Sequence, residues 1–274
     1  MTLKRQAEEL SGSIRSAGTG SILVVTGAGV SAASGIPTFR GTDEGAIWHK
    51  DPAELATRRY FEADPVGQWL WYFGRFDMVH DARPNAGHRA LALLERWQEE
   101  RGGRFLLVTQ NIDTLHEQAG SRRLVKVHGT ADRVRCSRTG CRLGAPRGSM
   151  PPDVEEIRRF RDDPREETLP RCPECDAVVR AHVLFFDELY NEHDDYRFDR
   201  VAEAAGESAL TLFVGTSFSV GVTDLVLREA ALRGVPIVVI DTEASDTAGR
   251  VRRYRAAAEE LLPAACGCLG VETG

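Results

Sequence analysis

The sequence predicts an α/β fold built on an open parallel sheet, with a smaller second domain made from two insertions. Five short apolar runs have the composition of buried strands, and stretches with helical periodicity lie between most of them. Each run ends in a polar or glycine-containing turn, as strands do when a ligand binds beyond their carboxyl ends. These runs are residues 22–25, 105–109, 124–127, 210–214 and 236–240.

Composition limits the classes of function that are open to the chain. Of its 274 residues, 42% are apolar, so it can bury a substantial core. Its net charge of -6 argues against duplex nucleic acid as a partner, because phosphate binding needs a basic face. No apolar run approaches the length of a membrane span, and residues 1–10 are polar. We therefore expect a soluble, cytoplasmic protein without a nucleic-acid or membrane partner, and nothing in the sequence gives its oligomeric state.

The first strand and the turn after it carry the main functional signal. Residues 3–17 have the pattern of an amphipathic helix, and the continuous, β-branched run 22–25 follows it. Gly27 and Gly29 then form a G-x-G-x-x-G/A pattern with Ala32 in its third slot. Such glycines let a backbone approach a pyrophosphate, whose charge meets free N–H groups at a helix start. Many turns use the same glycines for packing alone, so the pattern by itself leaves both interpretations open.

The residues beyond the glycines argue against hydride transfer. Dehydrogenases with this turn carry an acidic ribose ligand about twenty residues further on, at the end of a second strand. Here that region, residues 48–52, does not have the pattern of a strand end, and a polar loop at 34–41 follows the glycines instead. The sequence therefore predicts a dinucleotide site that is not a dehydrogenase site.

Two stretches interrupt the alternation of strands and helices. Residues about 42–83 are helical and rich in aromatic side chains, and residues about 133–179 contain four of the six cysteines. We expect these insertions to form the smaller domain, from a helical module and a zinc-binding module. The Rossmann-like core would then consist of residues 1–41, 84–132 and 180–274.

Four cysteines have the spacing of a structural zinc site. Cys172 and Cys175 form a C-x2-C knuckle, and Cys136 and Cys141 form a looser C-x4-C pair. Four thiolates complete the tetrahedral coordination of one structural zinc ion and leave no open position for catalysis. The alternative is two pairs of reduced thiols. The other two cysteines lie in a small tail and are expected to be bystanders: Cys266 and Cys268.

In their order along the chain, these motifs resemble those of the sirtuins, which are NAD-dependent protein-lysine deacylases. The resemblance covers nearly the whole chain, and Thr-Gln-Asn-Ile-Asp is more specific than a glycine turn alone. Besides the four cysteines, the matching motifs are Gly-Ala-Gly-Val-Ser at 27–31, Gly-Ile-Pro-Thr-Phe-Arg-Gly at 35–41, Thr-Gln-Asn-Ile-Asp-Thr-Leu-His at 109–116, His-Gly at 128–129, Gly-Thr-Ser at 215–217 and Glu-Leu-Leu-Pro at 260–263.

The resemblance implies that NAD is the co-substrate and indicates which residues bind it. The pyrophosphate would be bound by Gly27, Ala28, Gly29 and Ser31, with Arg40 as its charge partner. The nicotinamide half would contact Phe39, Gln110, Asn111 and Asp113. The adenosine half would contact Gly215, Thr216, Ser217, Asp241 and Ala258. Asp241 stands where the family usually has asparagine, and a carboxylate can accept from both ribose hydroxyls.

The resemblance also implies the catalytic residues, His128 and Asn111. In the family's chemistry the acyl-lysine carbonyl oxygen attacks the ribose carbon as nicotinamide leaves. A histidine then takes the proton of a ribose hydroxyl, which suits imidazole because its pKa lies near working pH. The products would be free lysine, nicotinamide and O-acyl-ADP-ribose.

Several departures from the commonest deacetylase pattern indicate an acidic acyl group. Thr38 replaces the usual aspartate, and Tyr72 and Arg75 precede Pro-Asn-Ala-Gly-His at 84–88 with the spacing of the branch that acts on succinyl-, malonyl- and glutaryl-lysine. Residues three apart share a helix face, so both side chains could meet an acyl carboxylate. An ordinary Tyr/Arg pair on an amphipathic helix is the alternative.

The segment 180–188 resembles the family's acyl-lysine tunnel, with Val183 and Phe186 as substrate-binding residues. Ala181 and Asp187 replace the family's proline and glycine, which an extended strand tolerates. The alternatives are a plain deacetylase, an NAD hydrolase or ADP-ribosyltransferase that uses the same site, and a non-catalytic NAD sensor.

Overall fold

A parallel sheet of six strands forms the centre of the fold in the computed structural model, which describes residues 1–38, 52–218, 220–243 and 251–271. The strands are β1 (Ser21–Thr26), β2 (Arg104–Thr109), β3 (Leu124–Lys126), β4 (Gly129–Cys136), β5 (Val179–Val183), β6 (Ser208–Val214), β7 (Ile237–Ile240) and β8 (Val251–Tyr254). The large sheet has the order β3-β2-β1-β6-β7-β8, and β4 and β5 form a separate antiparallel pair.

Helices cover both faces of the large sheet. They are α1 (Leu3–Ser16), α2 (Pro52–Leu55), α3 (Arg58–Ala63), α4 (Pro65–Asp81), α5 (Ala86–Glu100), α6 (Leu115–Gln118), α7 (Val154–Asp162), α8 (Phe198–Glu207), α9 (Gly221–Arg233) and α10 (Ala258–Leu269). Among the described helices, none is long and apolar enough to cross a membrane.

Two apolar clusters, one on each face, hold the helices to the sheet. On one face Leu10 of α1, Leu91 of α5 and Leu261 of α10 pack together against strand side chains such as Ile22. On the other face, side chains of α8 and α9 pack against residues such as Val25. Burial on both faces explains why the central strands are continuous apolar runs and not alternating ones.

The parallel α/β fold predicted from the five apolar runs is confirmed, but the sheet contains a sixth strand that was not predicted. β8 reads Val-Arg-Arg-Tyr and pairs in parallel with β7 at the edge of the sheet, and only Tyr254 is fully buried in it. An edge strand has one neighbour and one solvated side, so it needs no apolar run that a sequence could reveal.

Candidate active site

The polar side chains of the predicted site gather where the strand order of the sheet reverses. β2 pairs with one side of β1 and β6 pairs with the other, so the turns after β1, β2 and β6 lie side by side. Ligands of open α/β sheets bind outside the carboxyl ends of the strands at such a reversal.

Glycines let the turn after β1 contact the turn after β6 closely. The N–H of Gly29 donates to the Gly215 carbonyl oxygen at 2.9 Å. A Cβ atom on Gly29 would lie 2.7 Å from the Cα atom of Gly215, which no real side chain tolerates. Gly215 itself has φ +59, in the left-handed region that favours glycine. Loop packing therefore requires these glycines, and it uses the Gly29 N–H that the sequence pattern had suggested for a phosphate. Instead of an α-helix, a 3-10 helix, Ala28–Ser34, follows Gly27.

The side-chain amides of Gln110 and Asn111 connect the three turns. Nε2 of Gln110 donates to the Thr26 carbonyl and to Oγ1 of Thr216, each at 3.1 Å. Nδ2 of Asn111 donates to the Gly27 carbonyl at 3.1 Å and to Oγ of Ser31 at 3.0 Å. Residues predicted from three distant motifs therefore form one hydrogen-bonded group.

Asp113 and Ser31 extend this hydrogen-bonded group and are buried. Oγ of Ser31 donates to Oδ2 of Asp113 at 2.9 Å, and Oδ1 of Asp113 accepts from the Leu115 N–H at 3.0 Å. Nε2 of His88 lies 3.4 Å from Oγ of Ser31. Burial lowers the pKa of His88 to about 4, although the Asp113 charge opposes the shift. His88 and His116 are both fully buried.

His128 lies two residues after the end of β3, and its ring has a defined tautomer. Nδ1 lies 2.8 Å from the Gln110 carbonyl oxygen. Because a carbonyl can only accept, Nδ1 carries the hydrogen and Nε2 has the lone pair. Burial lowers the pKa of His128 to about 4, against the effect of the Gln110 carbonyl. The imidazole is therefore neutral at pH 7 with its lone pair at Nε2, and its pKa lies further below working pH than the sequence led us to expect of a general base.

The end of β5 is tied to this histidine. The Leu184 N–H donates to the His128 carbonyl at 2.9 Å, and Val183 is buried beside Phe185 and Tyr72. Phe186, which was expected to bind substrate, is 56% exposed, and its N–H donates to Ala56. Phe185 is the buried aromatic side chain of this segment.

Tyr72 and Arg75 lie on α4, and both side chains are buried. Tyr72 belongs to the apolar cluster that also contains Val183 and Phe185. The Tyr72 ring stacks on Phe185 with centroids 6.2 Å apart, and Ile112, from the Gln-Asn-Ile-Asp motif, packs against this cluster. The Arg75 guanidinium lies 3.8 Å from the centroid of the Trp71 ring. Burial lowers the pKa of Arg75 to about 10, and the neighbouring Tyr72 opposes the shift.

Sequence reasoning missed a buried ion cluster centred on Glu188. Its carboxylate contacts the guanidinium groups of Arg180 at 2.5 Å, Arg58 at 2.9 Å and Arg135 at 3.2 Å, and it also accepts from the Phe185 N–H at 3.0 Å. Burial alone would raise the pKa of Glu188, but the arginines, Arg180 first, lower it to about 2. The cluster joins α3 and β4 to both ends of the predicted substrate segment 180–188, and no sequence spacing would have identified it.

Asp187, one of the departures from the family pattern, caps a helix. Its carboxylate accepts from the Arg58 N–H at 2.7 Å and from the Arg59 N–H at 3.2 Å, while the Thr57 side chain accepts from the Tyr60 N–H at 3.1 Å. The donors at the start of α3 are therefore satisfied by its own N-cap and by a residue from a distant segment.

The four cysteines of the insertion converge, as their spacing predicted. Their Sγ atoms all lie within 4.8 Å of one another. Cys136 and Cys175 are 3.5 Å apart, and Cys141 lies 3.7 Å from both Cys172 and Cys175. A tetrahedral zinc ion with Zn–S bonds of about 2.3 Å separates its sulfurs by about 3.8 Å. The donor set and its dimensions thus fit one structural zinc ion. Cys266, in contrast, packs in the core on α10.

The remaining predicted residues lie at other strand and helix ends. The Asp241 carboxylate follows β7 and accepts from the Glu243 N–H at 2.8 Å. Ala258 begins α10 and is buried, and Ser217 is exposed after β6. Phe39 and Arg40 lie outside the described residues.

Comparisons with known proteins identify the family of the chain. Residues 27–222 match the Sir2 family. The chain is 39% identical over 223 residues to an NAD-dependent protein deacylase of Thermus thermophilus, covering 81% of this chain and 79% of the relative. It is 34% identical over 244 residues to the mitochondrial NAD-dependent protein deacylase sirtuin-5 of Canis lupus familiaris, covering 84% of this chain and 76% of the relative.

Solved structures give the same result for the fold. A Sir2 homologue in complex with NAD superimposes with a TM-score of 0.77 at 34% identity, covering 96% of this chain and 94% of that chain. A variant of a Sir2 homologue bound to ADP-ribose has the same TM-score at 32% identity, covering 97% of this chain and 98% of that chain.

The fold and the strand-end site thus define a Rossmann-like α/β protein with a cysteine-bearing insertion. The chain belongs to the Sir2 family, the sirtuins.

Proposed function

We propose that this protein is an NAD-dependent protein-lysine deacylase that transfers the acyl group of acyl-lysine to ADP-ribose. The observation that carries the proposal is the neutral His128 imidazole beside Gln110 and Asn111, at the reversal of strand order. The names of the Thermus thermophilus and canine relatives support the same activity.

The donor set at the strand ends fits NAD. Side-chain amides and a neutral imidazole are groups that bind ribose hydroxyls and a carboxamide, and Gln110, Asn111 and His128 offer them within one hydrogen-bonded group. Asn111 and Asp113 would hold the nicotinamide ribose and carboxamide together with Gln110. The other proposed NAD contacts are Gly27, Ala28, Gly29, Ser31, Phe39, Arg40, Gly215, Thr216, Ser217, Asp241 and Ala258.

When bound, NAD supplies a ribose carbon from which nicotinamide can leave. His128 would take the proton of a ribose hydroxyl at Nε2, because its Nδ1–H is engaged by the Gln110 carbonyl. The acyl-lysine chain of a protein substrate would lie along the end of β5, beside Val183 and Phe186. The buried Val183 and the bond from Leu184 to the His128 carbonyl keep that segment next to the base.

The finer proposal is that succinyl- or malonyl-lysine is preferred to acetyl-lysine. A buried guanidinium at Arg75, close to Tyr72 and to the apolar cluster that contains Val183, offers a charge partner for an acyl carboxylate. Guanidinium and carboxylate groups can form two parallel hydrogen bonds, and a tyrosine hydroxyl can add a third.

The insertions would form one small domain that one zinc ion stabilises. Nε1 of Trp69 on α4 donates to the Val179 carbonyl of β5 at 2.9 Å, and Phe73 packs against Phe160 of α7. These contacts support the division into a core of about 1–41, 84–132 and 180–274 and a small domain of about 42–83 and 133–179. Cys136, Cys141, Cys172 and Cys175 would be the zinc ligands. On composition, we expect the protein to act in the cytoplasm.

The activity is tested by incubating the purified protein with NAD and matched succinyl-lysine and acetyl-lysine peptides, following peptide mass and nicotinamide release. We expect deacylation of at least one peptide, no product from His128→Ala, and normal activity from His80→Ala, which removes an exposed imidazole. Nicotinamide release without any change in the peptides would contradict the proposal and indicate an NAD hydrolase.

A further inference from the structure

Tyr190 contacts the predicted general base from a segment that carries no family motif. It begins the short 3-10 helix Tyr190–Glu192, and its hydroxyl lies 3.3 Å from Nε2 of His128, 62 residues away in sequence. Nε2 carries the lone pair because Nδ1 donates to the Gln110 carbonyl. The Tyr190 hydroxyl is therefore the donor in this hydrogen bond.

The oxygen of the same hydroxyl is held by the start of α9. The Val222 N–H donates to it at 3.3 Å. N–H groups in the first turn of a helix lack intrahelical partners and carry partial positive charge. Because the Tyr190 oxygen accepts from the Val222 N–H, the hydroxyl hydrogen is available for the bond to His128.

Aromatic packing places the hydroxyl between these two partners. The Tyr190 ring stacks on Phe198, at the start of α8, with centroids 4.3 Å apart and an interplanar angle of 7°. It lies almost parallel to the His128 imidazole, at 17° and 5.8 Å. Burial raises the pKa of Tyr190, so the hydroxyl stays protonated and able to donate at neutral pH.

We propose that Tyr190 is a positioning residue for His128. The Tyr190 hydroxyl holds the imidazole plane and keeps Nε2 unprotonated until a substrate hydroxyl takes its place at Nε2. This inference rests on the proposed function, since it takes His128 as the base. A hydrogen bond at each ring nitrogen, from Gln110 and from Tyr190, opposes rotation of the ring. A donor at Nε2 also favours the neutral form of the imidazole.

Tyr190→Phe removes the hydroxyl and keeps the stacked ring. Of the described titratable side chains, Tyr190 is the one hydrogen-bonded to His128, so its loss should raise the His128 pKa by roughly 0.5 to 1 unit. This shift is measured by NMR titration of the ligand-free protein, with the resonance assigned from His128→Asn. We also expect kcat to fall roughly threefold to tenfold, with the KM values changed less than about twofold, because the bond orients the base and does not bind substrate.

The matched control is Tyr60→Phe on α3. It removes a hydroxyl that donates to the Asp64 carboxylate at 3.1 Å. It should leave the His128 titration and kcat unchanged. An unchanged His128 titration in folded Tyr190→Phe would overturn the proposal, whatever the activity. If Tyr190→Phe does not fold, the proposal is tested on the wild type by the NMR chemical shifts of the two ring nitrogens of His128. A hydrogen on Nε2 above pH 6 would overturn it. If Tyr190→Phe shifts the His128 titration but the wild type deacylates no peptide, only the proposed function is rejected. Tyr190 would still set the protonation of His128.

Discussion

Nδ1 of His128 lies 2.8 Å from the backbone oxygen of Gln110, and this contact joins the ends of two neighbouring strands. The parallel pairing of β2 with β3 sets Thr109 opposite Lys126, so the residues that follow each strand emerge side by side. The hydrogen bond then selects the tautomer in which Nε2 can act as a base. Sheet register and one carbonyl group thus determine the chemistry that His128 can perform.

Arg75→Met tests the acidic-acyl preference. Losing one partner of a buried, hydrogen-bonded charge pair typically costs ~2–5 kcal/mol. We therefore expect kcat/KM on a succinyl-lysine peptide to fall at least roughly thirtyfold, with little loss on the matched acetyl-lysine peptide. Arg159→Met, at an exposed arginine of α7, is the control and should change neither value. Equal losses on both peptides from Arg75→Met would contradict the assignment.

Zinc is predicted to hold the cysteine-bearing insertion together. We expect about one zinc ion per chain by elemental analysis, and Cys172→Ser should weaken zinc binding at least about tenfold and lower Tm, because a structural site needs all four thiolates. Cys268→Ser changes a half-buried thiol of α10 and should affect neither measurement. A Cys172→Ser variant that keeps its zinc and its Tm would rule the site out.

Asp187→Gly restores the family residue but removes a helix cap. The Arg58 and Arg59 N–H groups lose their carboxylate acceptor, and the loss of a cap costs about 0.5–2 kcal/mol in the free energy of unfolding. Asp187→Asn keeps an acceptor oxygen and should cost less. Urea unfolding at pH 7 measures both variants. Equal stability of Asp187→Gly and the wild type would show that the contact contributes nothing.

The stability of the fold should fall as pH drops below about 6.5. Burial lowers the pKa of His88 to about 4, that of His182 to about 3, and that of His116 well below its ordinary value. The unfolded chain therefore binds more protons than the folded protein in this range. Between pH 6.5 and 5, each fully depressed histidine removes up to about 2 kcal/mol from the free energy of unfolding.

Urea unfolding at pH 7 and pH 5 measures this loss. We expect a decrease of more than about 2 kcal/mol in the wild type, since burial lowers the pKa of His128 as well as those of His88, His116 and His182. His182→Asn should reduce the decrease, whereas His80→Gln, which removes an exposed imidazole, should not. A free energy of unfolding that stays constant from pH 7 to pH 5 would mean that these histidines have the same pKa values in the folded protein as in the unfolded chain, which would contradict the prediction.

Much of the fold followed from local patterns. A strand buried on both faces must be apolar throughout, so the central strands could be recognised and the parallel sheet predicted. β8 could not be recognised, because an edge strand with two arginines has no such pattern. The cysteine cluster was predictable because metal coordination limits the ligand spacing within each pair.

Contacts between distant segments depended on the tertiary structure. His128 and Asn111 were found from motifs, yet the partner of Nε2 is Tyr190, which sheet pairing and aromatic stacking bring to it from 62 residues away. Phe185 is buried beside Tyr72 and Phe186 is exposed, because residues two apart along the extended chain share a face and Phe185 falls on the face of Ala181 and Val183. The sequence by itself determined which segments are buried and which residue types can do chemistry, since burial and ligand spacing are local properties. Only the tertiary structure decided which of those groups meet, because register, turns and side-chain packing are set by the whole chain.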